Sequence, residues 1–410
     1  MSWKIVELQE IAAKSKYPIG DGDHGAIKPS QYLDTGIPYI RVADIDWAGQ
    51  ISENKMVYIS EGINNLNPKS HLFPGDIIIS KTGATIGKVA IIPAKFKISN
   101  TTASIGKLTI DKLKADVRFV FWAMKTPDFQ KEMWKVSHKS AQPGFNVDDL
   151  KKFKIPLPPL PIQKHIAEIL DKADALHRKD QQLLKKYDEL AQAIFIEMFG
   201  DPVKNEKGWE VKTIEQLVKK TKHSIKRGPF GGALKKEIFV QDGYLVYEQF
   251  HALNNDFSFG RYYIDDAKYN ELKAFDVKPA DIIISCSGIY LGKLAIVPEN
   301  AKKGIINQAL LKLTLDETIY KNEFFVKVFT QENFKEKYFA SERGAAIPNF
   351  PPMSTFKEFK FICPPINLQE EYLKLVTNLN KQIDVIEMAQ CKSDELFKTL
   401  INKAFKGELA

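Results

Sequence analysis

The sequence predicts an α+β protein with two tandem mixed α/β domains, each followed by a long helix. The two helices are expected to pair as an antiparallel coiled coil, which makes the chain pseudo-two-fold symmetric. Three observations carry this expectation. A set of motifs recurs at an offset near 206 residues, each copy ends in a proline-rich stop, and a heptad-spaced apolar pattern follows each stop. The length of 410 residues also exceeds what one hydrophobic core usually supports, so two domains are the starting expectation.

In chain order, Trp3 opens the first unit and Trp209 the second. Gly25-Ala-Ile-Lys28 and Gly36 return as Gly232-Ala-Leu-Lys235 and Gly243, an offset of 207 (232 less 25). Asp76-Ile-Ile-Ile-Ser80, with Gly83, Gly87-Lys88 and Ile91-Ile-Pro93, returns as Asp281-Ile-Ile-Ile-Ser285 with Gly288, Gly292-Lys293 and Ile296-Val-Pro298, an offset of 205 (281 less 76). Phe153-Lys154, Pro158-Pro159 and Gln163 return as Phe359-Lys360, Pro364-Pro365 and Gln369. One strand motif alone could repeat by chance, because apolar strands look alike; several ordered matches within two residues of one offset do not. Runs such as Lys88 to Ile92 and Lys293 to Val297, bounded by Gly and Pro, read as half-buried strands.

The stretch Ile155-Pro-Leu-Pro-Pro-Leu-Pro161 can continue neither a helix nor a central strand, since its prolines lack amide donors, and it reads as a rigid hinge. Beyond it, Ile162, Ile166, Ile169, Ala173, Leu176, Leu183, Tyr187, Leu190 and Ile194 step by heptads, with Asp180 as an interruption. Leu368, Tyr372, Leu375, Leu379, Ile386, Ala389, Leu396 and Leu400 repeat the register, interrupted by Gln382 and Ser393. Helices of about 35 residues, about 50 Å, are too long to lie on one small globule, so mutual pairing is expected. Gly200-Asp-Pro202 should stop the first helix. The expected segments are 1–155 and 201–361 for the two globules and 156–200 and 362–410 for the helices.

Composition narrows the function. With 59 Lys+Arg against 51 Asp+Glu the net charge is +8, a modest excess that suits a polyanionic partner. Cys286, Cys363 and Cys391 form no close pair, which argues against disulfides and zinc and for a reducing cytoplasm. The start lacks a basic-then-apolar pattern and no run of about 18 apolar residues occurs, so neither export nor a membrane span is expected.

Lys219, Lys220, Lys222, Lys226, Arg227, Lys235 and Lys236 fall in a stretch with no acidic residue. Glycines there let backbone amides approach phosphates, although a merely solvated loop would look the same. The first unit has the polar loop Gly20-Asp-Gly-Asp-His-Gly25 leading to Lys28, which is far less basic. Two scaffolds that differ at one loop suit two different half-sites, as does drift on an unimportant loop. Gly83-Ala-Thr-Ile-Gly87-Lys88 is one residue short of a phosphate loop and has Val89 where Ser or Thr is required; the second copy fails likewise, and both read as hairpin turns presenting Lys88 and Lys293. Asn349-Phe-Pro-Pro352 scrambles the methyltransferase motif it approaches and reads as a turn before the second helix. The seven histidines are scattered, and neither a catalytic nor a metal-binding constellation is found.

Taken together, Gly36-Ile-Pro-Tyr-Ile-Arg-Val-Ala-Asp44, Gly75-Asp-Ile-Ile-Ile-Ser-Lys-Thr-Gly83 with Ile86-Gly-Lys88, and Pro156-Leu-Pro-Pro-Leu-Pro-Ile-Gln163 resemble the specificity subunit of type I restriction-modification enzymes. Gly228-Pro-Phe-Gly-Gly232, Asp281-Ile-Ile-Ile-Ser285 and Cys363-Pro-Pro-Ile-Asn-Leu-Gln369 carry the same likeness in the second unit, with Cys363 a departure of no expected consequence. The resemblance implies two target recognition domains reading a bipartite site on double-stranded DNA, with the helices as spacer ruler. It also implies docking of two methyltransferase subunits and of restriction subunits. Such a chain holds no cofactor of its own; S-adenosylmethionine and ATP belong to the partners.

On that reading Lys28, Lys88, Lys226, Arg227, Lys235 and Lys293 fix the register through phosphates. Thr82, Thr85, Lys139, Gln142, Ser287, Tyr290, Asn307 and Arg343 are candidates to reach base edges, and Arg41 and Lys81 complete the DNA-binding set. Ile166, Ile169, Leu176, Leu183, Tyr187, Leu190, Tyr372, Leu375, Leu379, Ile386 and Leu396 are expected to form the coiled coil and partner contacts. A free-standing sequence-specific DNA-binding protein is the competing class, and a nuclease or methyltransferase ranks third.

Overall fold

The computed structural model describes residues 3–137, 143–339 and 350–408. The chain divides into two units, Met1–Leu183 with Ile386–Ala410 and Leu184–Val385. Each unit takes part of both long helices, because antiparallel pairing places the start of one beside the end of the other.

In the first unit the strand Ile77–Ser80 lies between Ile105–Leu108 and Val89–Ile91, and Ile19–Asp21 completes a four-stranded antiparallel sheet. The three isoleucines explain its central position. Ile77 and Ile79 enter the main core with Phe119, Trp122 and Leu150, while Ile78 points to the opposite face and packs with Ile40, Leu72 and Ile105. A strand that is apolar on both faces is stable only when both faces are covered. A second sheet orders Val57–Ile59, Ile37–Ile40 and Asn100–Thr101, the last pair parallel.

The second unit repeats this pattern. Ile282–Ser285 sits between Leu310–Leu313 and Leu294–Ile296, with Ile225–Arg227 at the outer edge. Ile282 and Ile284 join a core rich in Phe324, Phe325, Phe329 and Phe361, and Ile283 faces a separate cluster with Leu245 and Tyr247. The second sheet orders Tyr263–Ile264, Tyr244–Tyr247, Gly304–Ile306 and Asp276–Val277.

The prolines fall where a ladder can spare them. Among the described residues Lys154–Leu157 pairs only with Lys4–Glu7, so the expected hinge begins as an edge strand, and Lys360–Ile362 pairs likewise with Val211–Thr213. The first long helix then runs from Leu160 to Phe199 and ends at Gly200, whose φ of +74° suits the left-handed cap. The second spans Ile366–Lys406. Of Asn349-Phe-Pro-Pro352, Asn349 lies outside the described residues, and Pro352 leads into the short helix Met353–Lys357 and then the strand Lys360–Ile362, both of which precede the long helix.

The repeated glutamine has a clear task. Buried Gln163 accepts from the backbone N–H of Asp116 at 2.9 Å and donates to Pro158 O at 2.8 Å; Gln369 does the same with Lys321 N at 2.9 Å and Pro364 O at 2.8 Å. Each amide joins the start of a long helix to the cap of a domain helix, Val117–Met124 or Asn322–Thr330. Gln163→Leu leaves those buried backbone groups unpaired and is expected to lower stability by about 1–3 kcal/mol. An unchanged denaturation midpoint would contradict that role.

The helix seam departs from the heptads read from sequence. Ile166 and Tyr372 are fully buried, and Ile169, Tyr187, Leu379 and Ile386 are half-buried. Leu176, Leu183, Leu190, Leu375 and Leu396 are instead 54%, 41%, 45%, 43% and 58% exposed. In the first unit the seam uses Ile166, Ala167 and Leu170, packed in one cluster with Ile401 and Ala404, then buried Asp174, which pairs with Arg178, and His177, whose Nδ1 lies 2.7 Å from Asp394. In the second unit it uses Ala191, Phe195 and Phe199, and both phenylalanine rings lie edge-on to Tyr372. Small and polar side chains on the inner face displace the leucines by about one position.

Lys125 covers Phe121 and Trp122 at 5.1 and 5.2 Å, with Nζ donating to Ala48 O. Burial pushes its pKa down to about 8, against a partial opposing pull from Asp46. Between that value and the ordinary lysine range the unfolded chain binds the proton and the folded chain does not, so this group raises stability as pH rises through that window. Lys125→Met should flatten the rise, read from denaturation midpoints at pH 8 and 10; an identical slope in both proteins would refute it.

Candidate nucleic-acid interface

At one end of each four-stranded sheet, turns from separate parts of the chain meet. In the second unit Gly228 N donates to Leu310 O at 2.9 Å, Cys286 N to Ala309 O at 2.8 Å, and Phe350 N to Cys286 O at 3.0 Å. These bonds gather the ends of Ile225–Arg227, Ile282–Ser285 and Leu310–Leu313 beside Asn307. Gln249 reaches in from the second sheet and donates to Ser285 Oγ, Ser287 O and Ser287 Oγ at 2.8, 2.9 and 3.2 Å. The first unit builds the same end: Asp23 N donates to Thr101 O at 2.7 Å, Lys81 N to Ser104 O at 2.8 Å, and Phe145 N to Lys81 O at 3.2 Å.

Glycine is required at one point of each cluster. A Cβ on Gly22 would fall on the carbonyls of Thr101 and Thr102, and one on Gly228 on the carbonyl of Asn307, in both cases well inside contact distance. The two glycines are 206 residues apart, so this close approach belongs to the repeat.

The candidate residues divide by placement. Lys28, Lys235, Lys293 and Tyr290 are exposed, and Lys226, Arg227, Ser287 and Asn307 are half-buried at or beside the second cluster. Thr82 and Thr85 are half-buried in the turn after Ile77–Ser80, where Thr85 Oγ1 lies 3.2 Å from Ser80 Oγ. Three cations point elsewhere than expected. Lys81 is buried, with Nζ donating to Asp21 at 2.6 Å. Arg41 is held by Asp44 at 3.0–3.1 Å and donates to Lys55 O at 2.7 Å, which closes a turn. Lys88 does leave a hairpin turn, but Nζ donates inward to Ile45 O at 2.7 Å, so the side chain is not presented as Lys293 is. In each case a carboxylate or carbonyl within the fold captures the donor. Lys139, Gln142 and Arg343 lie outside the described residues.

Two exposed aromatics at these surfaces had not been singled out as contacts. Phe230 is 70% exposed, with the Arg227 guanidinium 5.4 Å from its ring, and Trp47 is exposed near Lys88. A large aromatic inside a Gly/Pro turn, as in Gly228-Pro-Phe-Gly231, was the available signal for the first.

The cores hold a second shared feature. Lys107 and Lys312, central in their sheets, are buried and donate to His71 O and Asp276 O at 2.8 and 2.5 Å. Burial holds both below the ordinary lysine range and holds Asp76 and Asp281 above the ordinary carboxylate range, with each lysine pulling back on its aspartate. The aspartates accept from Thr109 and Thr314, which ties each buried pair into its own sheet. Among the described residues no group of His, Cys, Asp and Glu is placed to hold a metal, and no helix is long and apolar enough to cross a membrane.

Residues 2–186 match the family described as "Type I restriction modification DNA specificity domain". The MjaVIII specificity subunit of a type I restriction enzyme from Methanocaldococcus jannaschii is 26% identical over 190 residues, which is 45% of this chain and 43% of that protein. The EcoBI specificity subunit of Escherichia coli is 24% identical over 180 residues, 43% of this chain and 37% of that protein. The chain thus spans less than half the length of these two relatives. The MjaX protein of Methanocaldococcus jannaschii, named as a specificity subunit of the same class, is 22% identical over 417 residues and covers 99% of this chain and 93% of its own. Among solved structures, the S subunit of a type I restriction-modification system from M. genitalium has a TM-score of 0.56 at 16% identity, covering 99% and 96% of the two chains. A chain from a type I R-M system, studied for complex assembly and conformational transition, has a TM-score of 0.54 at 15% identity, covering 99% and 98%. The last two likenesses establish the fold.

Proposed function

We propose that this chain is a specificity subunit of a type I restriction-modification system, the non-catalytic subunit that reads a bipartite site on double-stranded DNA; the family match over residues 2–186 and the likeness to the MjaX protein along the whole chain support this reading. One observation carries this reading: two units share a scaffold down to Gly22 and Gly228, yet differ in charge at the loop cluster that scaffold supports. A shared frame fixes position, and different side chains then select different bases.

The exposed basic residues Lys28, Lys235 and Lys293 would supply phosphate contacts, and Ser287, Asn307 and Tyr290 would lie nearest to base edges. The long helices would set the unspecified spacer between half-sites. Methyltransferase and restriction subunits would bring S-adenosylmethionine and ATP, which leaves this chain without a cofactor.

Exchanging residues 1–155 for those of a related subunit is expected to change one half of the methylated motif and leave the other and the spacer as they were. Mapping methylated bases in the host genome reads the result. A motif that changes in both halves, or in neither, would defeat independent reading.

A further inference from the structure

We propose that Arg227 is the specificity-determining residue of the second unit and that it reads a guanine edge; this deepens the function proposed above and rests on it. The argument starts from the repeat. The strand Ile225–Arg227 occupies the place that Ile19–Asp21 occupies in the first unit, each paired with the strand that ends in Leu313 or Leu108. Position 21 therefore corresponds to position 227, and Lys81, which follows Ser80, to Cys286, which follows Ser285.

The two units fill this pair of positions with opposite chemistry. In the first, Asp21 and Lys81 form a largely buried ion pair at 2.6 Å, so the floor of the cluster is neutral and occupied. In the second, Arg227 faces Cys286, a buried neutral thiol whose pKa burial pushes up to about 12, with the arginine as the opposing influence. The Arg227 Nε is buried and, among the described residues, meets no acceptor. A half-buried guanidinium next to a thiol in place of a carboxylate is a charge that the described residues leave without a carboxylate partner, and such a group suits an external acceptor.

Three features make that acceptor a guanine edge and not a phosphate. Arg227 ends a sheet strand, and its guanidinium lies against the Phe230 ring, so the fork is held at the cluster floor and not swung from a mobile loop. Exposed lysines of the second unit, Lys235 and Lys293, are available for phosphates. A planar fork matches the adjacent O6 and N7 acceptors of guanine in a bidentate way that a lysine cannot reproduce.

The test uses the full chain with its methyltransferase partners and selection from randomised double-stranded DNA. R227K and R227A should keep the first half-site, the spacer and all positions but one of the second half-site. At that position the preference for guanine should fall about 10- to 100-fold. R227K separates fork geometry from charge and should lose the preference almost as fully as R227A. A uniform loss across sequences, with the salt slope reduced by about one, would identify a phosphate contact and overturn the assignment. A lowered melting temperature with an unaltered motif would identify a structural arginine and overturn it equally. If the unsubstituted chain itself selects no bipartite site, the underlying reading of function fails and this assignment falls with it.

Discussion

Substituting alanine for Gly228 is expected to destabilise the second unit by about 3 kcal/mol and to erase the half-site it reads. The added methyl would meet the main-chain carbonyl of Asn307, which no rotamer change can move aside. Relief requires displacing either the end of Ile225–Arg227 or the turn at Asn307, and Gly228 N and Ala309 O both bond within the cluster. Arg227, Ser287 and Asn307 would then lose their mutual placement. Gly22→Ala makes the same prediction for the first unit through Thr101 and Thr102. Denaturation of each variant and mapping of its methylated motif would check both halves of the claim. A Gly228→Ala protein with unaltered midpoint and motif would show that the close approach is not needed.

How much of this was legible in sequence depends on whether a signal is local. The Ile77–Ser80 and Ile282–Ser285 strands could be placed because short apolar runs near glycines read as strands; their burial on both faces depends on distant partners such as Phe119 and Ile40. The proline stops and Gly200 were likewise visible, since each acts on its own backbone; Gln163 was visible only as part of the repeat, because its partner Asp116 lies 47 residues away. The seam of the long helices was not. Leu183 and Leu184 are adjacent, as are Ile166 and Ala167, and a heptad pattern cannot say which of two neighbouring faces a partner will fill. In the first unit the choice is made by Ile401 and Ala404, which admit the small Ala167 and bring His177 to Asp394. The inward turn of Lys81 was equally invisible. A lysine after an apolar strand reads as exposed, and its acceptor, Asp21, lies 60 residues away in sequence. Arg227 was visible only as one cation in a basic run; its distinction is the missing carboxylate opposite, and that needs both units to be compared.

The displaced seam also yields the second large effect. Leu190 and Leu396 are 206 residues apart, both exposed, and both leave their own unit's core without them. They occupy equivalent places on the two long helices, so the repeat presents the same apolar residue twice, once in each unit. On the proposed function, two equivalent surfaces are what two copies of one methyltransferase partner would need. Glutamate at either position is compatible with an exposed helix and should leave the chain's own stability within about 0.5 kcal/mol. Buried under a partner, the same charge would carry a desolvation cost of several kcal/mol. On the proposed reading that two methyltransferase subunits dock on this chain, L396E and L190E alone would each reduce the methyltransferase content of the purified complex from two copies to one, and the double variant would remove both. Native mass spectrometry counts the copies directly. Two copies retained by the double variant would place the docking surface elsewhere on the chain.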